Sequence, residues 1–149
     1  MFSRICSSLV LAAVLTCLSI TVEARDLTSV ALEAWLDRYG AAWEARDASA
    51  AGRLFATDAR YQESPFDEPK KGRPGIEEYW RNVTVDQREV HFESRVIAVN
   101  GSTGVAHWSA KFRLESTGAT VELDGVFVLE FDAYGQCRLL REWWHVRGG

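Results

Sequence analysis

Apolar positions in the first part of the chain recur with a helical period. Leu32, Trp35, Leu36, Tyr39, Ala42 and Trp43 fall at steps of three and four residues. That spacing predicts a helix over about Thr28–Arg46 with one broad apolar face. Asp47 reads as the N-cap of a second, short helix that buries Ala51, Leu54 and Phe55 and ends near Thr57-Asp58. Ala59–Glu63 then reads as a short strand stopped by Ser64-Pro65. The stretch Pro65–Gly75 contains all 3 prolines and is predicted to be a loop. Pro74 suits the first turn of a third helix, where its missing N–H costs nothing. On that helix Ile76, Tyr79, Trp80 and Val83 share one face.

After residue 86 the period changes to two. Val90–Val99, Gly104–Glu115, Thr120–Asp132 and Gln136–Val146 read as four strands joined by short turns such as Asn100-Gly101-Ser102-Thr103. Short connections between successive strands imply an antiparallel meander. Alternation puts Trp108, Ala110, Phe112 and Leu114 on one face, against His107, Ser109, Lys111 and Arg113. On the next strand Leu123, Gly125, Phe127, Leu129 and Phe131 oppose Glu122, Asp124, Val126, Val128 and Glu130. Three helices followed by a sheet with one apolar face predict an α+β domain whose helices pack across that face. Val126 and Val128 on the otherwise polar side suggest a partly covered outer surface, such as a dimer contact.

The N-terminus changes the picture of where this domain works. Arg4 is followed by an apolar run from about Leu9 to Leu18 and a small-residue site ending at Ala24. These features predict a signal peptide over residues 1–24, a domain over residues 25–149, and a periplasmic or secreted protein. A membrane-spanning helix needs roughly 17–25 apolar residues, more than this run supplies. Lipidation at Cys17 is the alternative, but Thr16 is a poor neighbour for it. The formal charge of −4 gives no basic surface for nucleic acid or an anionic membrane. Cys137 is the single cysteine after residue 24, so no internal disulfide is expected there. With three dispersed histidines, no metal site and no cofactor are implied.

Candidate chemistry centres on aromatic residues and two polar ones. Tyr39 shares its helix face with Trp35 and Trp43, so its hydroxyl enters apolar surroundings and needs a partner. Glu63 stands beside the rigid Ser-Pro turn, at the expected mouth of the same pocket. Desolvation there raises a carboxyl pKa toward the range useful for a general base. Asp124 is read as a structural hydrogen-bonding group. His107 is expected to meet solvent, His145 to lie near the pocket rim, and Arg141 and Glu142 to form a surface pair.

The order of elements, with certain residues, resembles the nuclear transport factor 2-like superfamily and its SnoaL-like polyketide cyclases. The resemblance rests on Leu54-Phe55-Ala56-Thr57-Asp58-Ala59, Gly72-Arg73, Ile76-Glu77-Glu78-Tyr79-Trp80, Asp124-Gly125, Phe131-Asp132-Ala133-Tyr134-Gly135 and Arg141-Glu142-Trp143-Trp144. It implies a cone-shaped, barrel-like fold: three N-terminal helices on a curved, mainly antiparallel sheet, enclosing an apolar pocket and forming a homodimer. Within the superfamily, the ketosteroid isomerase-like pattern implies Tyr39 as hydrogen-bond donor and Glu63 as base. It puts Phe127 where a second, protonated acid is expected, and Phe127 cannot donate a hydrogen bond. Losing one such donor typically costs ~10²–10³ in rate.

Three functions follow as expectations. One is an isomerase-, dehydratase- or cyclase-like enzyme acting through Tyr39 and Glu63 on a small apolar or aromatic molecule. The second is a non-catalytic binding protein. The third is a dimeric interaction domain whose pocket is filled by its own side chains. Residues expected to line the pocket are Trp35, Trp43, Trp80, Trp108, Phe112, Phe127 and Trp144.

Overall fold

The computed structural model describes residues 26–147, so the signal-peptide segment and Cys17 lie outside the described residues. Helix α1 spans Ser29–Ala45; the Thr28 hydroxyl caps it by accepting from the Ala31 N–H at 3.1 Å, and Arg46 ends it in a left-handed conformation. Helix α2, Ala48–Arg53, is opened by the Asp47 carboxylate, which accepts from the Ala50 N–H at 2.9 Å. It stops before the predicted Thr57-Asp58. Strand β1 takes over at once and runs Phe55–Gln62. The run Leu54-Phe55-Ala56 is apolar enough for a helix or a buried strand, and sheet pairing decides it.

The predicted loop contains a two-residue strand, β2 (Lys70–Lys71), paired antiparallel with β1 through Arg60 and Tyr61. Helix α3 then spans Gly72–Thr84, with Pro74 inside its first turn. The four predicted strands are β3 (Gln87–Asn100), β4 (Thr103–Leu114), β5 (Thr120–Phe131) and β6 (Cys137–Arg147), joined as an antiparallel meander.

The sheet order is β2-β1-β6-β5-β4-β3, with β1 parallel to β6. The first long strand is thereby laid beside the last. A register shift between Arg88 and His91, with Glu89 at φ 55°, bends β3. The sheet curves without closing, and the helices lie in its concavity. Leu32, Trp35, Leu36, Tyr39 and Trp43 of α1 are buried there against Trp108, Phe127, Leu129 and Leu140 of the strands. The approach of α1 to β3 requires Gly40, because a Cβ at that position would stand 2.5 Å from the Phe92 ring. Among the described residues no helix is long and apolar enough to cross a membrane.

Candidate active site

Between α1, α3 and the concave face lies a cavity of about 260 Å³. Its walls are aromatic: Trp43 from α1, Trp80 from α3, Trp108 and Phe112 from β4, and Trp144 from β6. Tyr39 and Glu63 also line it, so both sequence-derived polar candidates reach one space. Trp35 and Phe127 do not border it. Trp35 packs on the far side of Tyr39 and donates from Nε1 to the Leu54 carbonyl at 3.1 Å. Phe127 lies beneath the cavity, stacked on Trp108 with ring centres 5.1 Å apart. Both shape the wall from behind rather than facing the void.

The polar end of the cavity is a short chain of hydroxyl and carboxyl groups. Tyr39 Oη lies 3.0 Å from Tyr61 Oη, and Tyr61 donates to Glu142 Oε1 at 3.0 Å. With the Tyr61 proton directed at Glu142, the Tyr39 proton is directed at Tyr61. The Tyr39 hydroxyl therefore orients Tyr61, whereas the sequence-based expectation has it donating to a ligand. Glu142 and Tyr61 both line the cavity, beside Glu63 and Tyr79.

Glu142 corrects the sequence reading most sharply. It was expected to pair with Arg141 at the surface, yet its exposure is 5 %. Adjacent strand residues point to opposite faces. Arg141 accordingly faces outward, 3.8 Å from Glu130, while Glu142 faces inward with Leu140. Sheet register pairs Glu142 with Phe127. A carboxyl group thus enters this layer from the strand next to Phe127. The parity shared by Leu140, Glu142, Trp144 and Val146 was the available signal, obscured by the consecutive tryptophans. Tyr61 was missed because its short strand carried no other mark.

Burial pushes the Glu142 pKa up to about 8; the Tyr61 hydrogen bond lowers it, and the negative charge of Glu63 raises it again. Burial likewise raises the hydroxyl pKa values of Tyr39, Tyr61 and Tyr79, with the Glu142 charge adding to each. The tyrosines remain protonated at neutral pH. Glu142 is the group that titrates near it, and in its neutral form it presents a carboxylic proton to an apolar cavity. Two carboxyl groups in unlike environments form the kind of arrangement that separates an acid from a base.

The histidines stand elsewhere. His107 meets Asp124 at 3.0 Å on the outer face, which gives the exposed Asp124 its structural partner. His145 is exposed and in register with Asp124, away from the cavity rim where it was expected. His91 lies between Glu44 and Glu93 at the surface.

Known structures share this architecture. An epoxide hydrolase/cyclase-like enzyme, SalBIII, described in pyran ring formation in the polyether salinomycin, superposes with a TM-score of 0.66 at 18 % identity, covering 76 % of this chain and 92 % of its own. A Bacillus subtilis protein put forward as an isomerase gives 0.69 at 16 % identity, covering 78 % and 87 %. A hypothetical protein with a ketosteroid isomerase-like fold from Catenulispora acidiphila DSM 44928, in complex with trimethylamine, gives 0.65 at 15 %, covering 73 % and 83 %. At these identities the likeness is one of fold. No curated protein matches the chain. The profile of the SnoaL-like domain matches residues 36–139, most of the domain just described. The chain belongs to the SnoaL-like domain family, and with its three helices over a curved, unclosed sheet it takes the cone fold of the nuclear transport factor 2-like superfamily.

Proposed function

We propose that this cavity performs proton-transfer chemistry, of the isomerase, dehydratase or cyclase kind, on a small and mostly apolar molecule bearing an oxygen. Glu63 serves as the base and takes a proton from substrate carbon. Glu142, neutral below its pKa of about 8, donates a hydrogen bond to the oxygen on which charge develops. In an isomerisation Glu63 returns the proton to a second carbon, so no other reactant is consumed. Tyr61, set by Tyr39, holds the Glu142 carboxyl in place. The observation that carries this reading is Glu142 itself: a buried carboxyl, bonded to a tyrosine, bordering an open aromatic cavity.

The test is double-bond migration, read by the absorbance of the conjugated ketone together with its mass. A panel of bicyclic β,γ-unsaturated ketones is incubated with the protein in D₂O and followed by mass spectrometry. Conversion to the conjugated α,β-unsaturated ketone is expected, with deuterium entering at the γ-carbon wherever the Glu63 proton exchanges with solvent before its return. Glu63→Gln and Glu142→Gln should each slow the conversion roughly 10²–10⁴-fold. Probe binding without conversion would favour the second reading, a binding protein. That reading draws support from the apolar walls and from the engagement of the Tyr39 hydroxyl by Tyr61.

Export and dimerisation belong to the same proposal. Export is supported by the signal-peptide pattern over residues 1–24 and is checked by the mass of the mature N-terminus. A homodimer through the outer sheet face is supported by half-buried Val126 and Val128 and by Trp143, which is in register with Val126 and 48 % exposed. Sedimentation of the Trp143→Glu variant checks it: a monomer is expected where the parent is a dimer.

A further inference from the structure

The cavity has a second polar group, remote from its carboxyl end. Gln87, at the start of β3, lines it with a side chain that is 7 % exposed. Trp43 Nε1 donates to Gln87 Oε1 at 2.7 Å. An indole N–H is only a donor, so this bond fixes which end of the carboxamide is oxygen. The Nε2 group is left with two N–H donors and, among the described residues, no acceptor. That nitrogen is not among the fully enclosed, unpartnered polar atoms of the described residues, so it keeps surface open to the cavity that Gln87 lines, where a bound molecule can supply the acceptor.

Neighbouring donors are either engaged or sealed off from the cavity. Thr84 Oγ1 is engaged by the Trp80 carbonyl at 2.7 Å. The indole N–H groups of Trp80 and Trp108 lack a partner among the described residues but are fully enclosed, out of reach of a ligand. Gln87 is also separate from the acid. Tyr39 and Trp43 stand one turn apart on α1, the first leading through Tyr61 to Glu142, the second holding Gln87. Strand register agrees: Gln87 pairs with Leu114 of β4, whereas Glu142 is opposite Phe127, which pairs with Ala106.

We propose that the Gln87 carboxamide is a specificity-determining hook, donating to an acceptor oxygen on the ligand at the far end from Glu142. The ligand class narrows accordingly. It is an apolar, ring-containing body carrying two oxygen functions, a reacting one held near Glu63 and Glu142 and an anchoring carbonyl, ether or hydroxyl held by Gln87. A pure hydrocarbon satisfies neither pole of the cavity, and a molecule with oxygen at one end only leaves one of them unpaired. The inference rests on the reading of the cavity as a small-molecule site, and is independent of turnover.

The test uses two probes of the same shape, 2-acetylnaphthalene and its hydrocarbon isostere 2-isopropenylnaphthalene. Binding is followed by tryptophan fluorescence and by the side-chain amide resonances of ¹⁵N-labelled protein. The ketone is expected to bind about five- to tenfold more tightly, the worth of one hydrogen bond. It should shift the Gln87 NH₂ pair while leaving Gln62 and Gln136 in place, and the isostere should shift none. Gln87→Met and Gln87→Leu should remove the preference, and Glu142→Gln should retain it. Ketone binding with unmoved Gln87 resonances, or an intact preference in both Gln87 variants, overturns the hook and spares the cavity reading. Failure of both probes to bind overturns the two together. The resonance experiment is made on the unsubstituted protein, so it decides the matter even if a variant does not fold.

Discussion

On the concave face of the sheet, Glu142 is buried against Tyr61 and its pKa is pushed up to about 8. On the convex face of the same sheet, Glu122 lies between Lys111 and Arg147, whose hydrogen bonds and charges lower its pKa. Both are glutamates on neighbouring strands, and side-chain parity alone separates their fates. Water and two cations stabilise the charge on Glu122. Aromatic rings and one hydroxyl surround Glu142, and they favour its neutral form. Where the sheet curls inward a carboxyl is kept as an acid, and where it bulges outward a carboxyl serves solubility and pairing.

The largest way to break this contrast is to remove the layer beneath the cavity. Phe127→Ala deletes a fully buried ring stacked on Trp108 and is expected to cost about 3–5 kcal/mol by chemical denaturation. Val126→Ala, one residue away on the half-buried outer face, should cost only about 1 kcal/mol.

Next comes pH. The folded pKa of Glu142 lies above the ordinary value of 4.5, so between 4.5 and about 8 the folded state holds more protons than the unfolded state. Stability contributed by neutral Glu142 is fully present below 4.5 and is lost as pH rises toward about 8. The loss is on the order of 4–5 kcal/mol for that shift. Denaturation at several pH values should show this decline, and Glu142→Gln should flatten it.

The concave and convex faces were not equally legible in the sequence. Period three-and-four located α1 and α3, and period two located β3 to β6, because each has one buried face that burial itself enforces. The apolar walls were legible for the same reason. β2 was not, since two lysines in a proline-rich stretch pair only because β1 offers an edge. Glu142 was read as half of a sequence-adjacent ion pair, although a strand sends Arg141 and Glu142 to opposite faces. Tyr61 became visible only when the parallel pairing of β1 with β6 laid Tyr61 against Leu140, two residues from Glu142. Long-range pairing of that kind leaves no local mark.

A smaller effect sharpens the electrostatic half of the contrast. Tyr61→Phe removes the one interaction that lowers the Glu142 pKa, so its titration should move above about 8, readable by NMR of a ¹³C-labelled carboxyl. The same change should cost about 1–2 kcal/mol, leaving Tyr39 without its hydroxyl partner. Smallest of all, Glu122→Gln on the outer face should leave the denaturation midpoint near neutral pH almost unmoved and the Glu142 decline between 4.5 and about 8 unchanged, touching only the acid end of the profile.

The bond from Tyr61 to Glu142 joins residues 81 positions apart, between the first long strand and the last. A ribosome adds the second partner only after all of the first 141 residues have been joined. Without β6, β1 has no long neighbour in the sheet and the cavity lacks Glu142. Assembly of the site is therefore a late and non-local event, of the kind that folds slowly. Loss of the Cys137–Arg147 strand would take Glu142, Trp144 and Val146 from the cavity lining at one stroke, and with them the proposed acid.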